Sequence, residues 1–247
     1  MLKTANFRLK IQYDGRLFCG WQRQPNGLTV QQCIEDACER ISGAQCNVHG
    51  AGRTDAGVHA LGQVANVVLT TSMTEGKIKR ALNSILPEEI RITSLRRASE
   101  TFHARKSAIE KTYRYLLLTS SDRSPFAAWY ASWLPHRLEA DRMREAAVAF
   151  VGRHDFRSFQ AAGSSVKSTV REIRRFEIRT GGAMISFTVS ADGFLRHMVR
   201  IMVGTLIEVG RGKVEPSAVA GILSGRDRKL AGPTAPPDGL TLMRVDY

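Results

Sequence analysis

The chain has 247 residues, 43% apolar and 24% charged, which is ordinary globular composition with room for one large domain or two small ones. Lysine and arginine number 36 against 23 acidic residues, and the formal charge of +13 points to a polyanionic partner. The basic residues are spread along the chain, no apolar run approaches a bilayer crossing, and MLKTANFRLK lacks the apolar centre of a signal peptide. The expected partner is therefore a nucleic acid inside the cell, with no membrane role. The four cysteines, Cys19, Cys33, Cys38 and Cys46, have neither disulfide-framework density nor zinc-ligand spacing, and read as free thiols in a reducing compartment.

In chain order, FRLKIQY (7–13) alternates as a strand does. Thr29-Val30-Gln31-Gln32 is a capping box, and Val30, Cys33, Ile34, Ala37, Cys38 and Ile41 fall on one helical face. A short strand is expected around 45–49, then the loop AGRTDAGVHALGQ (51–63), then a strand GQVANVVLT (62–70). Ser72 to Glu75 reads as a second capping box, opening a helix that Pro87 ends. IRITSLRRA and KTYRYLLL (111–118) are predicted strands, and PFAAWYASWLP (125–135) is the expected connector between halves. A short helix over 141–151 precedes VREIRRFEIRT and AMISFTVSA, which flank Gly181-Gly182 as a hairpin. GFLRHMVRIMVGTLIEVGRG (193–212) carries the strongest helical pattern, 216–223 adds another helix, and LMRVDY closes as a strand. Strands that are often antiparallel neighbours, with helices to cover one face, predict the α+β class.

Four segments hold base but little or no acid: the stretch around Asp55, TFHARKSAI (101–109), residues 156–171 and residues 193–207. A phosphate backbone favours that pattern, because a stray carboxylate repels it. Arg196 and Arg200 are four apart and share a predicted helix face, which Gly204 continues with no side chain to obstruct an approaching ligand. On that strip alone the plain reading is two snorkelling arginines. Tyr113 and Tyr115 share a strand face, either as core residues or as a platform for an unstacked base. Phe102 and His103 beside Arg105 and Lys106 suit the same partner. Asp55 is the only acid between Glu39 and Glu75. It reads either as a turn residue bonding its own backbone or as a catalytic carboxylate. Arg53 would hold it ionised or reach toward RNA, and Gly50, Gly52 and Gly57 would let a substrate approach the backbone. Such a carboxylate serves as nucleophile, base or charge stabiliser at a sugar anomeric carbon, whereas a glycoside hydrolase would want a second carboxylate nearby.

GRTDAGVHA resembles the signature of the TruA family of tRNA pseudouridine synthases. YDGRLFCGWQRQP (13–25), LNSILPEEI (82–90), FHARKSA (102–108), KTYRY (111–115), HDFRSF (154–159), GFLRHMVR (193–200) and the closing APPDGLTLMRVDY resemble further family segments, in family order and over nearly the whole chain. The resemblance implies isomerisation of uridine to pseudouridine at positions 38, 39 and 40 in the anticodon stem-loop of tRNA, with no cofactor. It implies that Asp55 is the catalytic carboxylate and that Arg200, unlike Arg196, pairs with it. Tyr113 would stack on the flipped uracil, and Arg53 would fill or hold open the vacated place. Phe102, His103, Ala104, Arg105 and Lys106, with Gly163, Ser164, Ser165, Val166 and Lys167, fall where family members touch tRNA. The implied fold is α+β, a mixed and mainly antiparallel central sheet flanked by helices. Its two similar halves, 1–110 and 111–247, would have the active-site cleft between them. A cytoplasmic homodimer is the expected form. Two alternatives stay open on the residues: a non-catalytic RNA-binding or RNA-chaperone protein, which charge suits equally well, and a metal-dependent nuclease, which would need clustered acids.

Overall fold

In the computed structural model, which describes residues 2–163 and 166–247, the chain divides into two units. One is Met1–Ile109 with Thr241–Tyr247, the other Glu110–Leu240. Among the described residues no helix is long and apolar enough to cross a membrane.

The first unit begins with β1 (Lys3–Tyr13), whose alternation puts Phe7, Leu9, Ile11 and Tyr13 into the core. Helix α1 (Val30–Ser42) starts at Thr29, whose hydroxyl accepts the Gln32 amide at 3.3 Å, and stops at Gly43 in the left-handed region, φ +72°. Buried Glu35 on α1 accepts from the Val48 amide at 3.1 Å and the Gln31 side chain at 2.8 Å. That bond takes Val48 out of any ladder, so the strand expected at 45–49 contracts to β2 (His49–Gly50). Strand β3 (His59–Thr71) pairs antiparallel with both β1 and β2. Helix α2 (Glu75–Ile85) follows and ends before Pro87. Ser72 does not cap it: Thr74 holds the cap position, and the Glu75 carboxylate is engaged instead by the Arg97 amide (2.9 Å) and the Arg96 guanidinium (3.2 Å) of β4 (Ile90–Arg97). β4 completes the antiparallel set on the other edge of β1.

The second unit starts at β5 (Glu110–Leu118). The segment 125–135 does not connect the units, because it lies wholly inside this one. Its β6 (Ser132–Trp133) pairs parallel with β5. Then come α3 (Ala140–Ala147), β7 (Gly152–Asp155), β8 (Val170–Gly181) and β9 (Met184–Ala191). β9 joins β5 on one side and β8 on the other, and β8 joins β7, all antiparallel. The β8–β9 hairpin closes between Gly181 and Met184, with Gly182 at φ +58°. Helix α4 (Met198–Gly210) is shorter than the 193–212 pattern, because His197 sits at φ +60° and stops helical backbone there. Arg196 is therefore not on the helix and shares no face with Arg200. Helix α5 (Ala218–Gly225) follows.

The last strand, β10 (Leu240–Asp246), returns the chain to the first unit, where Thr241 and Leu242 pair parallel with β3. Gly62 makes this approach feasible, since a Cβ there would lie 2.2 Å from the Met243 carbonyl oxygen. Residues 241–247 thus belong with the N-terminal elements rather than with 111–240. The expected α+β class, mixed and mainly antiparallel, is what the structure has.

Candidate active site

Asp55 lies in the loop between β2 and β3, in the first unit, and this loop is fastened from several sides. The Ala51 amide donates to the Val64 carbonyl at 2.7 Å, and the Gln63 side chain donates to the Gly52 carbonyl at 3.0 Å. The Trp21 amide donates to the Thr54 carbonyl at 3.1 Å, and the Thr54 hydroxyl meets the buried Tyr13 hydroxyl at 2.8 Å. Burial holds the Tyr13 phenol neutral, its pKa pushed up to about 12. A turn then closes from the Val58 amide to the Asp55 carbonyl at 3.1 Å, with Gly57 at φ +79°. Gly20, at φ +84°, lies so close that a Cβ would stand 2.5 Å from the Thr54 carbonyl oxygen. Asp55 itself is half-buried. Its main chain is thus set by β1, β3 and the 20–22 segment before any substrate arrives, which is the preorganisation a catalytic carboxylate needs.

Gly50 is placed differently from what the sequence pattern suggests. Gly50 is not open to a substrate: its missing side chain makes room for the Trp21 indole, 2.5 Å from where a Cβ would be. Arg53 is exposed, and its Nε donates to the Gln22 side-chain oxygen at 3.1 Å. Gln22, Thr54 and Gln63 shape the site without standing out in the sequence. Gln63 stands in β3 beside other polar residues, His59 and Asn66, so it is its burial in the structure rather than the sequence that marks it.

In the second unit the two strand tyrosines take different parts. Tyr115 is a core tyrosine whose hydroxyl lies 2.7 Å from Ser132 Oγ, and Ser132 donates to Asp238 at 2.6 Å. Burial pushes the Tyr115 phenol up. Tyr113, 7% exposed, meets the edge of Phe194 at 5.1 Å, so KTYRY and GFLRHMVR touch through these rings. Arg200 stands in the first turn of α4, and its Nε donates to the Ala235 carbonyl at 2.7 Å. Gly204 does not clear a path for a ligand. A Cβ there would lie 1.8 Å from the Pro233 carbonyl oxygen, so the glycine admits the backbone of the 231–235 segment. Arg196 donates instead to the Ala162 carbonyl at 2.8 Å.

Of the residues expected at tRNA, Phe102 to Lys106 form a loop of the first unit. Ala104 is fully buried, its amide bonded to Asn66 (2.9 Å) and its carbonyl to the Tyr247 hydroxyl (2.8 Å), so it anchors the loop and offers no surface. Phe102 packs against Tyr247 at 5.1 Å, and the Arg8 guanidinium lies 4.5 Å from the Tyr247 ring. His103 stacks on His49 at 5.0 Å, and burial followed by the positive neighbours His49 and Lys106 lowers its pKa. Arg105 and Lys106 are exposed. In the second unit Gly163, at φ +77°, and the exposed Val166 and Lys167 flank Ser164 and Ser165, which lie outside the described residues.

A family profile described as tRNA pseudouridine synthase matches residues 10–105 and 146–247. The chain is 45% identical over 240 residues to a protein named tRNA pseudouridine synthase A from Syntrophotalea carbinolica, covering 97% of this chain and 95% of that one. It is 44% identical over 243 residues to a protein of the same name from Geobacter sp. strain M21, covering 98% of each. Among solved structures, a chain in a Cbf5-Nop10-Gar1 complex overlaps at a TM-score of 0.38 and 13% identity, over 95% of this chain and 57% of that one, which is too loose to carry an argument. The two profile segments reach through the Asp55 loop and through α4 respectively, and with end-to-end relatives at this identity the chain belongs to the tRNA pseudouridine synthase family.

Proposed function

We propose that this chain isomerises uridine to pseudouridine at positions 38, 39 and 40 of the tRNA anticodon stem-loop, acting as a cytoplasmic homodimer. Family membership supports tRNA pseudouridylation over a non-catalytic RNA-binding role. The observation that supports the mechanism is the fastened loop around Asp55, whose main chain is held from several sides at the stretch that resembles the family signature.

The target uracil is flipped out of its stack, at a cost of a few kcal/mol. Asp55 then acts at the ribose, either attacking C1′ or removing a sugar proton. The N1–C1′ bond breaks, the uracil turns, C5 bonds to C1′, and the C5 proton is lost as N1 gains one. Nothing is consumed, so binding and charge placement supply the catalysis. Tyr113 supplies the stacking surface for the flipped base, Arg200 the guanidinium for the carboxylate, and Arg53 occupies the vacated place. Arg105, Lys106 and Lys167 contribute exposed positive charge toward the phosphate backbone. In the dimer the +13 of each chain would serve one RNA twice over. Incubating the purified protein with unmodified tRNA and mapping pseudouridine chemically tests this reading. Modification confined to uridines 38–40, undiminished in excess EDTA, is the expected result; RNA bound but left unmodified would return the alternative.

A further inference from the structure

A cavity of about 330 Å³ in the second unit is lined by Arg157, Arg226 and Arg228, with Gln160 and Asp227 beside them. We propose that it seats a backbone phosphate of the bound tRNA, held by arginines that are not among the residues assigned above to catalysis or tRNA contact. The inference rests on tRNA being the substrate.

Arg228 is held in advance: its guanidinium donates to the Ala231 carbonyl at 3.1 Å and the Thr234 hydroxyl at 3.2 Å. Asp155 orients the Arg226 guanidinium and anchors the main chain of Arg157. One of its oxygens accepts the Arg157 amide at 3.1 Å, and the other lies 3.2 Å from Arg226 Nε, whose side chain is 64% exposed. The one lining carboxylate, Asp227, is turned to its own backbone, accepting the Lys229 amide at 2.9 Å. Three guanidinium groups about one small cavity suit a tetrahedral anion with several acceptor oxygens.

The backbone adds an independent argument. Arg226 ends α5 in the left-handed region, φ +52°, where glycine or asparagine is usual. The glycine stands one residue too early. Gly225 itself has no positive φ to satisfy, and a Cβ there would meet only the tip of the exposed Leu230 side chain, 2.4 Å from Cδ1. The chain thus keeps a long cationic side chain at a position that disfavours it, as happens where the side chain has a functional role. The wall at Ala161–Gly163 also leads directly into the 163–167 segment assigned to tRNA contact.

Arg226→Gly separates function from folding, because glycine suits the backbone, and the side chain it removes is mostly exposed, with one surface ion pair to Asp155. Binding of unmodified tRNA to the whole enzyme is measured from low to moderate KCl for the wild type, Arg226→Gly and the double variant Arg226→Gly/Arg157→Ala. The thermal midpoint of Arg226→Gly is expected to hold or rise. Its tRNA Kd is expected to rise several-fold and that of the double variant about tenfold. The slope of log K against log salt should become shallower by roughly one for each arginine withdrawn from the phosphate. Kd and slope equal to wild type in both variants would overturn the proposal. Wild-type protein that binds tRNA yet forms no pseudouridine would undo the functional reading while leaving the Kd ratios to decide the pocket.

Discussion

Arg200 and Ala235 hold each other by two bonds: Arg200 Nε donates to the Ala235 carbonyl at 2.7 Å, and the Ala235 amide donates to the Arg200 carbonyl at 3.0 Å. Residues 231–239 thereby act as a strap over the start of α4. The Gly232 amide reaches Thr205 Oγ1 at 2.9 Å, and Asp238 is held by Ser132 at 2.6 Å. The guanidinium is aimed by the strap as well as by its own helix. Arg200→Lys keeps the charge but loses the planar donor set that the strap orients. Pseudouridine formation is expected to fall about 100-fold in kcat, with little change in thermal midpoint. A lysine variant turning over at the wild-type rate would remove Arg200 from its role.

Gly20→Ala tests whether the Asp55 loop is set from outside. The new Cβ would press 2.5 Å from the Thr54 oxygen and 3.0 Å from the Asp55 carbonyl carbon, on a backbone at φ +84°. A stability loss of about 1–3 kcal/mol is expected, together with at least a tenfold loss of kcat at temperatures where circular dichroism shows the chain folded. Full kcat in the folded variant would show that the loop does not depend on this close approach.

Tyr113→Phe and Tyr113→Ala separate the ring from the hydroxyl. Stacking on a base is worth about 1–3 kcal/mol, so the alanine variant should lose roughly 5- to 150-fold in kcat/KM while phenylalanine retains the ring contribution. Equal losses in both would place the importance in the hydroxyl instead.

The alkaline limb of stability follows from Tyr13. Folding raises its pKa from 10.0 to about 12, so the folded state keeps a proton that the unfolded chain releases. The contribution is fully present below pH 10 and disappears as pH rises toward 12, amounting to about 3 kcal/mol. Tyr115 and Tyr247 are raised in the same direction by burial. Denaturation midpoints measured from pH 8 to 12 should fall steeply above pH 10, and less steeply in Tyr13→Phe. A flat profile would contradict the buried Tyr13–Thr54 pair.

Local patterns in the sequence carried most elements and the Asp55 loop, because period-two and period-3.6 alternation and cap residues act over a few neighbours. What they could not show depends on distant partners. Leu195 is buried in the turn before α4, so apolar periodicity runs on through His197 although its φ of +60° ends the helix there. Glu75 looked like half of a capping box, but its carboxylate is engaged by Arg96 and Arg97, more than 20 residues away. Gly204 and Gly50 looked like openings for substrate. They are filled by the Pro233 carbonyl and the Trp21 ring, neither of which spacing along the chain can reveal. The aromatic segment 125–135 resembled a linker only because the short pairing of Ser132 and Trp133 with β5 leaves no periodic trace.

The most direct test of the central claim is single-turnover pseudouridine formation on unmodified tRNA by Asp55→Asn, with tRNA binding measured alongside. Asparagine keeps the size of the side chain, removes the charge and replaces one acceptor oxygen with a donor amide. No detectable pseudouridine, with tRNA affinity within a few-fold of wild type, is the expected result. Isomerisation at an appreciable fraction of the wild-type rate would contradict the claim.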